Sequence, residues 1–176
     1  FSYDAFKELN DQMINIFYSK FKHLTWYGFN LLAIDGSTIR VPKEEAISEH
    51  FGAWTTNNGT SECPVARASQ MFDVLNKVTV DAIISPKSNG ERELAAFHLL
   101  KLQPQDLLLL DRGYPAHWFF KAIQSLKAQF CARISYKKFS VAKRFYESGK
   151  PEAIVRIYPT EVSKEKCFEM GFDADP

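Results

Sequence analysis

The chain has 176 residues, 45% of them apolar and 24% charged, which is the composition of a folded globular domain rather than of a disordered or fibrous segment. Twenty-two lysines and arginines almost balance twenty-one aspartates and glutamates, for a net charge of +1. Overall charge therefore gives no argument for a nucleic-acid partner, and the placement of charge must carry it.

No apolar run reaches the roughly 18–20 residues of a membrane span, and no signal peptide is visible. A membrane partner is not expected. Cys63, Cys131 and Cys167 are far apart, odd in number and form no CxxC pair, which argues against a zinc site and fits a reducing, cytoplasmic setting. Cys131, in an apolar run, reads as a small buried hydrophobe. The start at Phe1 and the acidic end "GFDADP" are read as cuts within a longer protein.

In chain order, residues 2–24 read as an amphipathic helix, with Phe6, Leu9, Met13, Ile16, Phe17 and Leu24 at threes and fours. "NLLAIDGSTIRV" follows as a strand, a glycine turn and an extended continuation. Its "LLAI" core is uniformly apolar and suits a central strand buried on both faces. Residues 42–64 hold turn formers and read as a loop. "ARASQMFDVLN" and "VTVDAIIS", joined near Asn76-Lys77, read as an antiparallel hairpin.

"SNGERELAAFHLLKL" is a helix, capped by Ser88 or Asn89, with Glu91 and Glu93 in its first turn. "DLLLLDRGY" is a second buried strand, "AHWFFKAIQSLKA" a helix and "QFCARIS" a further strand. A hairpin followed by helix-linked strands, parallel to the first strand, is a ribonuclease H-like mixed α/β sheet flanked by helices. The chain divides into a helical lead-in over 1–29, a partial core over 30–136 and, over 137–176, the start of an inserted β-rich segment that includes a strand at "EAIVRIYP".

Asp35 and Asp111 occupy matching positions, each directly after an apolar strand run and each with glycine at the next or next-but-one residue. Acids at the carboxyl ends of buried strands lie where open α/β sheets put their sites. On neighbouring strands, about 5 Å apart, two carboxylates repel unless a cation lies between them. A hard divalent ion such as Mg²⁺ takes carboxylate oxygens and keeps waters for a phosphate. Phosphodiester cleavage needs an activated water and a stabilised leaving oxygen, which two ions about 3.5–4 Å apart supply. Asp35 would bridge both ions and Asp111 would hold one. A single aspartate after a strand is usually a turn former or helix cap; the matched pair favours the metal reading.

"AIDGSTIRVP", "ERELAAFHLL" and "LLLLDRGYPAHWFF", in that order and with the hairpin ahead of the helix, resemble the DDE transposases of bacterial insertion sequences. The similarity is to the cut-and-paste branch with a large β insertion before its last acid, and it covers residues 30–136. It implies a ribonuclease H-like fold and Mg²⁺ or Mn²⁺ as cofactor, with Asp35 and Asp111 as first and second catalytic and metal-binding acids. It further implies double-stranded DNA, transposon ends and target, as partner, a homodimer in the active complex, and a location at the bacterial nucleoid. The third acid of such proteins is a glutamate in a Tyr, Arg, Glu, Lys motif that is missing here: Tyr136 has Phe139 where the arginine belongs. The glutamate is therefore expected beyond residue 176 and the chain alone is expected to be inactive. Glu147 follows Asp111 with thirty-five residues between, as in the integrase branch of the fold, but it sits beside Gly and Pro without a helical pattern.

Around the pair, Arg112 can contact a phosphate or pair with a nearby acid. Tyr114 can stack or hydrogen-bond to DNA, or pack on the next helix. Arg133, Lys137, Lys138, Lys143 and Arg144, interleaved with aromatics and opposed only by Glu147, form either a DNA-contacting patch or a solvated face. His98 reads as structural, and Glu91 and Arg92 as helix capping with local ion pairing. A ribonuclease H-like nuclease without strand transfer, or a non-catalytic DNA-binding remnant of a transposase, are the competing functions.

Overall fold

In the computed structural model, which describes residues 2–55, 62–137 and 139–173, the two apolar runs that end in aspartate lie side by side. Strand β1 (Asn30–Arg40) runs parallel to β5 (Asp106–Leu110), with Leu32 opposite Leu108 and Ile34 opposite Leu110. All four of these side chains are buried, as expected of a central strand pair covered on its faces. Strand β6 (Gln129–Ala132) adds to β5, also parallel. On the other side β1 pairs antiparallel with β3 (Glu62–Asp73), which pairs antiparallel with β4 (Val78–Pro86) and, near its start, with the short β2 (Ala53–Thr55). The hairpin followed by parallel, helix-linked strands is the mixed sheet expected of the sequence, and it fits a ribonuclease H-like fold.

The hairpin turn is built by one side chain. Asp73 is fully buried and accepts hydrogen bonds from the backbone N–H of Leu75 (3.0 Å) and Asn76 (2.9 Å), from Asn76 Nδ2 (2.8 Å) and from the Tyr18 hydroxyl (2.7 Å). These bonds let Lys77 hold φ +60°, a left-handed position that costs a non-glycine residue energy unless its surroundings fix it. Asp106, at the start of β5, is buried too; it accepts from the backbone N–H of Gln103 (2.7 Å) and from Asn30 Nδ2 (2.9 Å).

Helix α3 (Glu91–His98), extended by a 3₁₀ turn over Leu99–Lys101, packs on β1, β3 and β4. It buries Leu94, Ala95, His98 and Leu99, while Phe97 and Leu100 point to solvent. His98 is structural: Nε2 lies 3.0 Å from Ser69 Oγ and Nδ1 2.7 Å from Asp81 Oδ2. Helix α4 (His117–Ser125) places Trp118, Phe119 and Ile123 in the core.

Three expectations are corrected. The stretch 42–64 is not all loop, because α2 (Glu45–Phe51) and β2 fall within it. Residues 137–176 do not open as a β-rich segment among the described residues. They form α5 (Ser140–Glu147) and α6 (Glu161–Glu169), and "EAIVRIYP" runs between them unpaired. That run is exposed at Ile154 and Val155, so β-prone residues met no partner strand, which is what decides strand formation. Cys131 is exposed, because β6 pairs only with β5 and leaves its alternate residues outside.

A fourth correction concerns α1 (Tyr3–Lys20). Its stripe Phe6, Leu9, Met13 and Ile16 faces solvent, and the helix docks through Asn10, Ile14 and Tyr18 instead. Side-chain hydrogen bonds from Asn10 to the Val80 carbonyl and from Tyr18 to Asp73 fix the helix rotation against its own apolar periodicity. Leu9→Ser is thus expected to change stability by less than about 0.5 kcal/mol, whereas Ile14→Ser should cost about 1–3 kcal/mol. Urea denaturation of the two variants checks this; the reverse order would mean that the helix docks by its apolar stripe.

Candidate active site

Because Ile34 and Leu110 are paired across parallel strands, Asp35 and Asp111 are the next residues on neighbouring strands, about 5 Å apart. Pairing between β1 and β5 ends there: β5 stops, while β1 continues to Arg40 beside β3. The glycine turn expected after Asp35 is therefore absent, and Asp35 lies within a continuous strand where its parallel neighbour gives out. Both carboxylates are exposed. Asp35 Oδ1 accepts from the Gly36 backbone N–H (2.9 Å). Asp111 Oδ1 lies 3.4 Å from Arg133 Nη1, an exposed pair of small energetic weight.

Gly36 sits in close packing. A Cβ there would sit 3.3 Å from Glu91 Cγ and 3.4 Å from the Tyr114 hydroxyl. Glu91, at the start of α3, thus leans over the stretch of β1 that carries Asp35 and also approaches Gly113. Its Oε1 lies 3.8 Å from Arg67 Nη1 on β3. Arg92 Nη2 donates to the Gly113 carbonyl (2.7 Å), which ties α3 to the turn after Asp111. Helix capping falls to Glu93, whose Oε2 accepts from the Gly90 N–H (3.0 Å). The sequence reading of Glu91 and Arg92 as local capping missed this long-range role; the glycines placed after both aspartates were the available signal that something approaches the backbone there.

Tyr114 is buried against Phe119, so its ring is not a surface for stacking on DNA. Its hydroxyl faces the site. Burial, with the charges of Asp35, Glu91 and Asp111 adding to it, pushes its pKa up to about 12. Among the described residues, the buried side-chain polar atoms without a hydrogen-bond partner are Arg67 Nε, Arg92 Nε and the Tyr114 hydroxyl. All belong to residues around the two aspartates. Buried donors normally have acceptors, so the packing around the two aspartates leaves these polar atoms unsatisfied.

Of the remaining candidates, Arg112 is exposed beside Asp111. Lys143 is exposed and lies 3.8 Å from Glu147, one turn along α5. Glu147 is thus on a helix, against expectation, but as that helix's last residue and paired to its own lysine. Arg144 lies on a different face, in a cavity with Arg92. Lys137 is exposed, Tyr136 stacks on Tyr146 with ring centroids 5.2 Å apart, and Lys138 lies outside the described residues. The expected basic patch is therefore divided between Arg133 at Asp111, Lys143 at Glu147 and Arg144 in the cavity.

A family model described as transposase DDE domain matches residues 26–170, from before β1 to the end of α6. This chain belongs to the transposase DDE domain family. The Escherichia coli (strain K12) protein named "Putative transposase InsZ" is 23% identical over 119 residues, which cover 59% of this chain and 40% of that protein. The chain thus spans less than half the length of that relative. The matched region of the DDE domain includes Asp35, Glu91 and Asp111. No helix among the described residues is long and apolar enough to cross a membrane.

The donors present suit a hard divalent ion. Two exposed carboxylates on adjacent strands provide oxygen ligands, and the remaining positions would fall to water and phosphate, as Mg²⁺ prefers. Among the described residues, no group of three His, Cys, Asp or Glu side chains converges tightly enough to form a cage. An ion held by Asp35 and Asp111 would be bound weakly.

Proposed function

We propose that this chain is the part of a DNA transposase catalytic domain that carries the first two metal-holding acids, Asp35 and Asp111, and that the complete domain cuts transposon ends and joins them to target DNA as a homodimer. The observation that carries the reading is the parallel pairing of β1 and β5, which brings the two matched aspartates to adjacent positions beside a set of unpaired buried donors.

Asp35 and Asp111 would hold Mg²⁺ or Mn²⁺. Bound there, two such ions would activate the attacking water or hydroxyl and stabilise the leaving oxygen. The protein's own contribution is orientation. Arg92 fixes the Gly113 turn, Glu91 and Gly36 set the spacing between α3 and β1, and Tyr114 packs its buried hydroxyl beside Gly36. A third acid would come from outside residues 1–176.

The test is a side-by-side assay on transposon-end DNA with Mg²⁺, using the 176-residue chain and a protein extended through the third acid. Binding without cleavage by the chain, with cutting and joining by the extended protein, is expected. Cutting without joining would favour a plain nuclease. No chemistry from the extended protein would favour a remnant that only binds DNA.

A further inference from the structure

We infer that the cavity formed by Arg92, Trp118, Arg144, Arg156 and Lys166 is the seat for the backbone of a DNA strand entering the site. The inference rests on the transposase reading and adds where on this chain the nucleic acid docks. The cavity is about 490 Å³ and its lining contains no aspartate or glutamate. In a chain whose positive and negative side chains are nearly equal in number, four cations around one concavity without an acid are a local departure from balance. Like charges gathered in a recess repel, and the arrangement suits an anionic occupant. Lys166 is held from the rim by Glu169 at 2.8 Å; Arg144 and Arg156 are exposed and point no acid toward the recess.

Arg92 links this recess to the catalytic residues. One guanidinium nitrogen donates to the Gly113 carbonyl, two residues after Asp111, while its Nε is buried and has no partner. The guanidinium also forms part of the recess wall, where its planar fork suits a phosphate. Arg92, Trp118 and Lys166 also line a neighbouring cavity of about 1020 Å³ that includes Gly113 and Arg67, but Glu91 and Glu93 line it too, so the acid-free surface is confined to the smaller recess. The exposed Tyr158, with the partly buried Phe139 beside it, supplies aromatic wall for sugar or base, a combination with cations that suits nucleic-acid strands.

The sequence pattern grouped Arg144 with Arg133, Lys137, Lys138 and Lys143; of these, among the described residues, only Arg144 lines the recess, so Lys137 and Lys143 serve to separate the two alternatives by mutation. The experiment measures binding of the chain to a duplex DNA of arbitrary sequence across a salt series. It compares the recess double variant Arg144→Gln/Arg156→Gln with an equal-charge comparator, Lys137→Gln/Lys143→Gln, and with Arg92→Lys. All four of the paired positions are exposed, so folding is preserved and is checked by circular dichroism.

The recess variant is expected to lose on the order of tenfold in affinity and to reduce the salt slope by about 2, one per phosphate contact removed. The comparator should lose less than about threefold. Arg92→Lys keeps the charge but loses the fork, and should weaken binding while leaving the salt slope unchanged. Equal losses in the two double variants, or a loss only in the comparator, would overturn the recess as the seat and leave the transposase reading standing. A parent chain that does not bind DNA even at low salt would overturn both.

Discussion

Asp35→Asn and Asp111→Asn, each introduced into a transposase extended through its third acid, are expected to reduce Mg²⁺-dependent end cleavage by at least about a hundredfold. The size follows from positioning. Each carboxylate is a direct ligand in the proposed site, and displacement of a reacting group by about 1 Å already costs that factor. An asparagine keeps the shape and one acceptor oxygen but not the charge that holds a divalent ion against water. DNA binding should be retained or strengthened, because a negative charge that faces phosphate has been removed. This opposite movement of binding and cleavage separates loss of a metal ligand from loss of fold. Glu152→Gln, at an exposed acid far along the chain, serves as the comparator and should cut normally. Normal cleavage by either aspartate variant would remove Asp35 and Asp111 from the chemistry.

The parts of this molecule that were legible in its sequence are those where local pattern and tertiary demand coincide. "LLAID" and "LLLLD" read as buried strands because both faces are covered, and the structure pairs them in parallel. The hairpin read true because Asn76-Lys77 is a turn and Asp73 completes it. Helix α1 misled because two polar side chains, Asn10 and Tyr18, dock it, and amphipathic period says which face is apolar, not which face is covered. The run "EAIVRIYP" misled because β-prone residues form a strand only beside a partner. Around the aspartates, the acids themselves were visible, since strand and acid are adjacent in sequence. Glu91, Arg67 and Arg92 were not, because they arrive from β3 and α3 across tens of residues, and only Gly36 and Gly113 marked their approach.

The largest stability effect is expected at Asp81, on β4. Its carboxylate lies 2.7 Å from His98 Nδ1 and 3.2 Å from Lys101 Nζ, and Lys101 also pairs with Asp11 of α1. His98 is fully buried. A carboxylate only accepts, so Nδ1 carries the proton toward Asp81, and Nε2 meets the Ser69 hydroxyl. Asp81→Ala strands that N–H and removes one of the two carboxylates that Lys101 pairs with, and should cost about 2–4 kcal/mol in urea denaturation. Asp81→Asn retains an acceptor and should cost less.

The pH dependence gives a sharper reading. Burial alone would raise the Asp81 pKa, but the hydrogen bonds and charges of His98 and Lys101 outweigh it, and the carboxyl is held below its ordinary value of 3.8. A depressed folded value means that the unfolded chain takes up the proton first. The stabilisation is therefore present above the ordinary value and is lost as pH falls through the folded one. Asp106 works with the opposite sign, since burial raises its pKa and its contribution is lost as pH rises through the folded value. The parent's acid profile mixes the two, and only the difference between parent and Asp81→Asn isolates the network. That difference should shrink as pH is lowered from about 6 to about 3. A difference constant over that range would show that Asp81 holds His98 and Lys101 by shape and not by charge.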